Sequence, residues 1–170
     1  MDRSRHLVAQ PLTAEGFAPF GEIIQRRDAP SKVINRGMCD RHHALASVEL
    51  SGEGTAVINI FHGRPYTVPL MLDLMERHPL GSQCFVPLGP HPWLAVVAHD
   101  DGGKPGTPHP FLVPPGIGLN YPRGLWHAVL TTLYEEADFL VIDRDGPGNN
   151  LEEYNMETPW QISLPNQHGE

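Results

Sequence analysis

The segment from Gly116 to His127 reads Gly-Ile-Gly-Leu-Asn-Tyr-Pro-Arg-Gly-Leu-Trp-His and predicts the end of one strand, a tight turn and the start of a second strand. Proline presets the backbone at the first turn position, and glycine adopts conformations that other residues resist. The turn at residues 122–124 therefore places His127 just beyond a sharp corner. A histidine held there by rigid backbone suits ligand binding or proton transfer. The alternative is a structural hairpin in which His127 only packs beside Trp126.

The composition is that of a single all-β domain. The 170 residues are 40% hydrophobic and 19% charged, and the 17 glycines and 18 prolines suit many short strands joined by turns. We expect about ten strands of this kind and one short helix at residues 14–20, capped by Thr13 and ended by Gly21. Such a chain closes into a barrel or packs as a sandwich, because long unpaired edges are a liability. One domain over residues 1–170 is expected.

The individual strands follow from alternation and from the positions of glycine and proline. Their predicted ranges are 21–25, 45–50, 56–62, 70–78, 81–87, 93–99, 111–113, 128–134 and 137–144. Residues 100–110 are predicted as a loop. In the tail, a helical turn near residues 152–154 and a short strand at residues 161–164 are expected.

The charge and the termini exclude several classes of partner. A formal net charge of −8 argues against nucleic acid, because no basic face is available to neutralise phosphates. Cys39 and Cys84 lie far apart without metal-ligand spacing, so we expect two reduced, buried thiols. There is no signal-peptide pattern and no run of about 20 apolar residues. The prediction is a cytoplasmic protein without a membrane partner.

A first polar set occupies strand positions where a β core favours leucine. Glu76 and His78 are two residues apart and so point to the same side of an extended strand. Joined by His127, they have the composition of a 2-His-1-carboxylate metal site. Gln83 follows His78 by five residues. The alternative is that Glu76, close to Pro79, belongs to a solvated strand end.

A second polar set offers an anion clamp and proton donors. Its members are Asn35, Arg41, His43, Tyr121, Arg123 and Asp143. Arg123, and Arg77 between Glu76 and His78, can each be interpreted as a surface charge instead. Asp143 can be interpreted as one half of an ion pair with Arg144. The histidines left for the surface or for loops are His6, His62, His91, His99, His109 and His168. No phosphate-binding glycine loop or Ser–His–Asp pattern is present.

Two segments resemble the sequence motifs of the cupin superfamily. The spacing Gly116-x5-Pro122-x-Gly124-x2-His127 is similar to the second cupin motif, although Thr131 stands where an asparagine is usual. The first cupin motif would fall on residues 76–89, with Glu76 in place of a histidine and Gln83 in place of a glutamate. An ordinary cupin metal site is therefore altered at two of its positions, and a neutral amide is a poor ligand.

The altered motifs together resemble the ureidoglycolate lyase family, from about Leu7 to Leu164. The segments that carry this resemblance lie in order at residues 11–21, 35–43, 76–83, 120–127 and 138–144. The resemblance implies a cupin-like, jelly-roll type β-barrel that forms a homodimer. It also implies cleavage of (S)-ureidoglycolate into glyoxylate and urea in allantoin, and hence purine, catabolism. A divalent metal is implied, with nickel as the candidate.

Cleavage of a carbinolamide is a retro-addition that needs a base, an acid and an anion site. We expect His127 or His78 as the base, and the other histidine or Tyr121 as the acid. The substrate carboxylate would bind Arg77 or Arg123, because guanidinium forks match carboxylates. Glu76 and Gln83 would orient a histidine or bind the urea group. The predicted substrate-binding set is Arg77, Arg123, Gln83, Asn35, Arg41 and His43, and the metal set is Glu76, His78 and His127.

Two other functions remain open from the sequence. A metal-dependent cupin oxygenase or isomerase acting on another small carboxylate predicts tightly bound iron or manganese. A non-catalytic cupin that binds a small acid predicts thermal stabilisation by that acid without turnover. A third alternative concerns the product, because an amidohydrolase would release ammonia in place of urea.

Overall fold

The structure is a computed structural model that describes residues 5–166. His168 and both ends of the expected domain therefore lie outside the described residues. The strands of the first half are β1 (His6–Val8), β2 (Gln10–Pro11), β3 (Glu22–Ile24), β4 (Lys32–Ile34), β5 (Cys39–Arg41), β6 (Thr55–Gly63), β7 (Leu70–Arg77) and β8 (Gln83–Pro87). Those of the second half are β9 (Trp93–Ala98), β10 (Asp100–Asp101), β11 (Lys104–Pro105), β12 (His109–Val113), β13 (Gly118–Tyr121), β14 (Trp126–His127), β15 (Thr131–Thr132), β16 (Ala137–Asp145) and β17 (Glu152–Ser163).

Two large sheets build a barrel-like fold. The larger has the order β1-β17-β7-β14-β9-β12-β2, with β15 added beside β9, and the smaller has the order β3-β13-β8-β16-β6. Two separate hairpins, β4–β5 and β10–β11, complete the arrangement. This architecture confirms the prediction of an all-β, cupin-like barrel.

The central strand β9 is buried on both faces. One face contributes Trp93, Ala95 and Val97 to the barrel core between the two sheets. The other face contributes Leu94, Val96 and Ala98 to a second apolar core on the outer side of the larger sheet. A strand buried on both sides has a continuous run of apolar residues rather than an alternating one, which is the pattern of residues 93–98.

The helix is shorter than the sequence predicts. Thr13 caps it as expected, because its Oγ1 accepts a hydrogen bond from the Gly16 N–H at 3.0 Å. The helix α1 covers Ala14–Phe17, and residues 18–20 form turns. Phe17 anchors it in the barrel core, where its ring contacts Phe111 edge-on. No helix within residues 5–166 is long and apolar enough to cross a membrane.

Four predicted elements are wrong. The predicted loop at residues 100–110 contains the hairpin β10–β11 and the start of β12. Residues 45–50 form no strand beyond an isolated bridge from Leu50 to Gly81. The range 128–134 contains only the two-residue strand β15. In the tail, the expected helical turn is instead part of the long strand β17, which pairs with β7 on either side of an irregularity and with β1. Long-range pairing with β7 and β1 therefore prevails over the weak local helical signal.

Strand β6 forms one edge of the smaller sheet, and in the described part of the chain it pairs only with β16. Val57, Asn59 and Phe61 face one side and are partly buried, whereas Ile58 and Ile60 face the other and are exposed. The two cysteines differ from the prediction of two buried thiols. Cys84 on β8 is buried, but Cys39 in the β4–β5 hairpin is only partly buried, and both are free.

Candidate active site

The corner between β13 and β14 has the predicted geometry. Gly124 adopts a φ of +80°, which is the left-handed region that favours glycine. Its N–H donates a hydrogen bond to the carbonyl oxygen of His78 at 2.9 Å, so the turn is tied to the end of β7. Beyond the turn, His127 lies directly opposite Glu76 in the antiparallel pair of β14 and β7. The turn thus joins two segments distant in sequence at one point.

Glu76, His78 and His127 form a compact cluster at this point. Each residue offers one ligand atom, and these three atoms lie within 4.8 Å of one another. The rings of His78 and His127 are 5.2 Å apart between centroids. In the part of the chain that the structure describes, this is the one group of this kind with metal-ligating side chains.

His127 carries a free lone pair in a buried position. Its Nδ1–H donates to the Ala128 carbonyl at 2.9 Å, which leaves Nε2 unprotonated in the neutral ring. This Nε2 atom is buried and has no hydrogen-bond partner. Burial lowers the pKa of His127 to about 3, because the low-dielectric surroundings disfavour the charged form. At neutral pH His127 is therefore an uncharged acceptor or ligand.

The ring of His78 is fixed by a backbone carbonyl and an amide. Its Nδ1–H donates to the Asn150 carbonyl at 2.7 Å, and Nε2 lies 3.1 Å from Gln83 Oε1 and 3.9 Å from Glu76 Oε1. Gln83 is oriented in turn by its own Nε2, which donates to Asp143 Oδ2 at 3.4 Å. Asn150 thus directs Nε2 of His78 towards Glu76 and Gln83.

Glu76 and Tyr121 both shift towards their protonated forms. Burial raises the pKa of Glu76, and the opposing influence of His78 is smaller. Burial also raises the pKa of Tyr121, whose ring centroid lies 4.7 Å from that of His127. Tyr121 therefore remains a phenol across the physiological range and keeps a proton that it can donate.

The cluster fits a divalent metal ion by two independent observations. The first is the orphaned Nε2 of His127, which a metal would satisfy. The second is that both histidines donate Nδ1–H to backbone carbonyls, as metal-ligating histidines generally do. Glu76, His78 and His127 would hold such an ion, as a carboxylate and two imidazoles suit nickel or iron.

The structure does not bring all the predicted substrate-binding residues to this cluster. Arg77 points to the opposite face of β7, where its guanidinium lies 4.5 Å from the centre of the Trp126 ring and binds Asp100 and Glu152. Arg123 is exposed in the turn.

Three further members of the second polar set lie together but away from the cluster. Arg41 donates to His43 Nδ1 at 2.9 Å, and both lie with Asn35 in or beside the β4–β5 hairpin. No hydrogen bond or ion pair of the described residues joins that hairpin to the cluster. The suggested ion pair of Asp143 with Arg144 does not form, because Arg144 binds the carbonyls of Ser51 and Pro147.

A cavity of about 630 Å³ is lined in part by Glu76. Its walls include the aromatic rings of Phe61 and Phe85 together with Val129 and Leu130. Its polar side chains besides Glu76 come from the end of β6 and the following loop and are His62, Arg64 and Tyr66. Arg64 and Tyr66 were not predicted as site residues from the sequence, and His62 was expected at the surface or in a loop. Asn150 was missed as well, since no local pattern marks a residue that acts through its backbone carbonyl.

Comparisons with known proteins agree along nearly the whole chain. The model of a family described as ureidoglycolate lyase matches residues 4–163. A ureidoglycolate lyase of Rhizobium etli (strain CIAT 652) is 52% identical over 92% of this chain and 95% of its own length. Those of Agrobacterium fabrum and Chelativorans sp. (strain BNC1) are 51% and 49% identical, over 94% and 95% of this chain and 96% and 98% of their own lengths.

Proposed function

The chain belongs to the ureidoglycolate lyase family, and from this premise we propose that it cleaves (S)-ureidoglycolate into glyoxylate and urea at the Glu76–His78–His127 cluster. The observation that carries the assignment of the site is the buried, unpartnered Nε2 of His127 beside two further metal-ligating side chains. The relatives are named as lyases, so the oxygenase and the non-catalytic alternatives are not favoured.

The reaction moves one proton from oxygen to nitrogen. A base removes the carbinol hydroxyl proton, the C–N bond breaks as the aldehyde carbonyl forms, and an acid protonates the departing urea nitrogen. The proton count balances without water or an enzyme nucleophile. The site therefore needs an acceptor near the hydroxyl and a donor near the nitrogen.

In the metal-free site we assign the acceptor role to Glu76, whose Oε1 lies 3.9 Å from His78 Nε2. His127 is a weak base, because its pKa is lowered to about 3, and it suits binding an ion or accepting a hydrogen bond. Burial raises the pKa of Glu76, which makes its carboxylate a better base than an exposed one. Glu76 also lines the cavity, which we propose as the route of the substrate to the cluster.

We assign the donor role to Tyr121. Its ring lies against His127, and its raised pKa keeps the hydroxyl proton in place until a stronger base, the departing nitrogen, forms. Gln83, held by Asp143, would bind the urea group. When a divalent ion is bound, it supplies Lewis acidity that polarises the carbinol oxygen.

The test is a product analysis with metal-free protein. Chelator-treated protein is incubated with racemic ureidoglycolate, with and without added nickel, while glyoxylate, urea and ammonia are followed together. We expect equal amounts of glyoxylate and urea, with consumption stopping at half the racemate. Ammonia in place of urea would instead establish an amidohydrolase, and the absence of any product in either arm would contradict the proposal.

The remaining properties implied by the family are proposals as well. We propose a homodimer in the cytoplasm that acts in allantoin degradation. The exposed apolar side chains of Ile58 and Ile60 on β6 support the dimer.

A further inference from the structure

A substrate that carries a carboxylate needs a cation in a cavity whose inner end is itself acidic. Glu76 places a carboxylate at that end, so an anionic substrate would be repelled unless positive charge compensates. The arginine expected for this purpose, Arg77, lies on the other face of its strand with its guanidinium bound to Asp100 and Glu152. Arg144 is likewise bound by backbone carbonyls.

Arg64 is the one residue with a permanent positive charge among the described residues that line the cavity. Its guanidinium makes no hydrogen bond to the described residues, and its nearest carboxylate oxygen, on Glu136, is 3.9 Å from Nε. The two side chains of this pair are 79% and 57% exposed, so the contact is weak. Arg64 therefore keeps its donors available. The neighbouring His62, in contrast, already binds Asp138 and Glu136 through both ring nitrogens.

The backbone holds Arg64 in place even though its side chain is exposed. Gly63, just before it, pairs with Ala137 at the end of β6. Pro65, just after it, bridges to Thr132, and the Tyr66 N–H donates to the Thr132 carbonyl at 3.0 Å. A side chain anchored on both sides reaches over a fixed part of the cavity mouth.

We propose that Arg64 binds the substrate carboxylate at the mouth of the cavity and thereby orients the carbinol carbon towards Glu76. This inference rests on the proposed lyase function. The planar guanidinium offers two parallel N–H groups to a carboxylate. The carboxylate of Glu76 and the guanidinium of Arg64 together favour one direction of binding.

The test compares Arg64→Gln and Arg64→Lys with Arg26→Gln as a control at an exposed arginine away from the cavity. For Arg64→Gln we expect KM for ureidoglycolate to rise about 10- to 100-fold with little change in kcat, which corresponds to one lost charged hydrogen-bonded contact. Arg64→Lys should give an intermediate KM, because it keeps the charge but loses the fork. Arg26→Gln should behave as the wild type.

Product inhibition gives a second readout that a merely structural role would not change. Inhibition by glyoxylate, which has a carboxylate, should weaken in Arg64→Gln by a similar factor, and inhibition by urea, which has none, should not. Unchanged KM and unchanged glyoxylate inhibition would overturn the inference, as would a larger effect of Arg123→Gln. If the wild type releases no urea, the lyase proposal fails. Calorimetry with glyoxylate then tests Arg64 alone, and equal or absent binding in the wild type and Arg64→Gln overturns the inference.

Discussion

At the scale of single residues, burial determines the protonation state, and hence the role, of each side chain in the cluster. His78 and His127 are neighbours, yet only His127 is fully buried, and its Nε2 has no protein partner. Tyr121, equally buried, is confined to its protonated form. Both residues stay uncharged because ionising a side chain that is buried away from water costs free energy.

We predict that Tyr121→Phe lowers kcat about 100-fold or more with little change in KM, because general acid catalysis contributes that much. The variant keeps the ring that packs against His127 and Phe85, so the fold should remain. Steady-state kinetics measure the effect, and Tyr134→Phe, at an exposed tyrosine, is the matched control. Near-normal kcat in Tyr121→Phe would remove this residue as the acid.

The pKa of His127 predicts how the stability of metal-free protein depends on pH. The ring binds a proton below about pH 6.5 in the unfolded chain but only near pH 3 in the folded one. Between these values the unfolded state binds more protons, so stability is retained above pH 6.5 and is lost as the pH falls.

The expected contribution is about 1.4 kcal/mol per pH unit below pH 6.5. Urea denaturation of chelator-treated wild type and of His127→Asn between pH 7 and pH 5 measures it. The variant should show a shallower dependence on pH, since Glu76, whose raised pKa acts in the opposite direction, is common to both proteins. Identical slopes would contradict the assignment.

At the scale of elements, the turn between β13 and β14 determines where the histidines meet. We predict that Gly124→Ala lowers the free energy of unfolding by about 1–2 kcal/mol, because alanine resists a positive φ. It should also lower turnover, since the Gly124 N–H is bonded to the His78 carbonyl. Urea denaturation and the turnover assay measure the two effects.

The matched control for this turn is Gly103→Ala in the β10–β11 hairpin. Gly103 has a φ of +85°, and in both glycines an added Cβ would meet nothing within 4 Å. The control should thus lose similar stability while keeping full turnover. Equal losses of turnover in both variants would show that the effect of Gly124 is one of stability alone.

The elements that the sequence predicts well are those with a strong local signal. Residues 93–98 are continuously apolar, and residues 122–124 have an unambiguous turn chemistry, so both were predicted correctly. The tail has no such signal: the identity of β17 depends on pairing with β7 and β1, which lie far away in the sequence. Local propensity is a weak guide where such distant pairing determines the structure.

The same contrast holds for the site. Glu76 and His78 share a side because of their spacing, which the sequence displays, and the cupin-like motif brings in His127. The cavity mouth joins β6 to residues 129–130, and no spacing rule connects these segments. Arg64 and Asn150 could therefore be found only from the folded arrangement.

At the scale of the whole molecule, the β6 edge supports a dimer. Ile58 is 74% exposed and Ile60 is 57% exposed on a nine-residue strand with one described neighbour. A long apolar edge of this kind is an aggregation hazard in a monomer, and a second copy of the chain would cover it. The net charge of −8 makes association through the charged faces unfavourable.

We predict a dimer of the wild type in analytical ultracentrifugation and a monomer of Ile58→Lys/Ile60→Lys. Lysine at the edge opposes strand pairing through charge. Val33→Lys, at an apolar residue of the β4–β5 hairpin that is 53% exposed, should remain dimeric. A monomeric wild type would contradict the homodimer, and a dimeric double variant would place the interface elsewhere.

Because Cys84 on β8 is buried, the rate at which a thiol reagent modifies it reports how often β8 becomes exposed to solvent. A thiol reagent should modify the partly exposed Cys39 at once. Cys84 is shielded between β13 and β16, and burial raises its pKa to about 11, which suppresses the reactive thiolate. The rate of this slow labelling then measures how often β8 separates from β13 and β16. Gln83 precedes Cys84 on the same strand, so a ligand bound at the site should slow the labelling of Cys84. The labelling rate of this one thiol therefore measures occupancy of the site without any turnover.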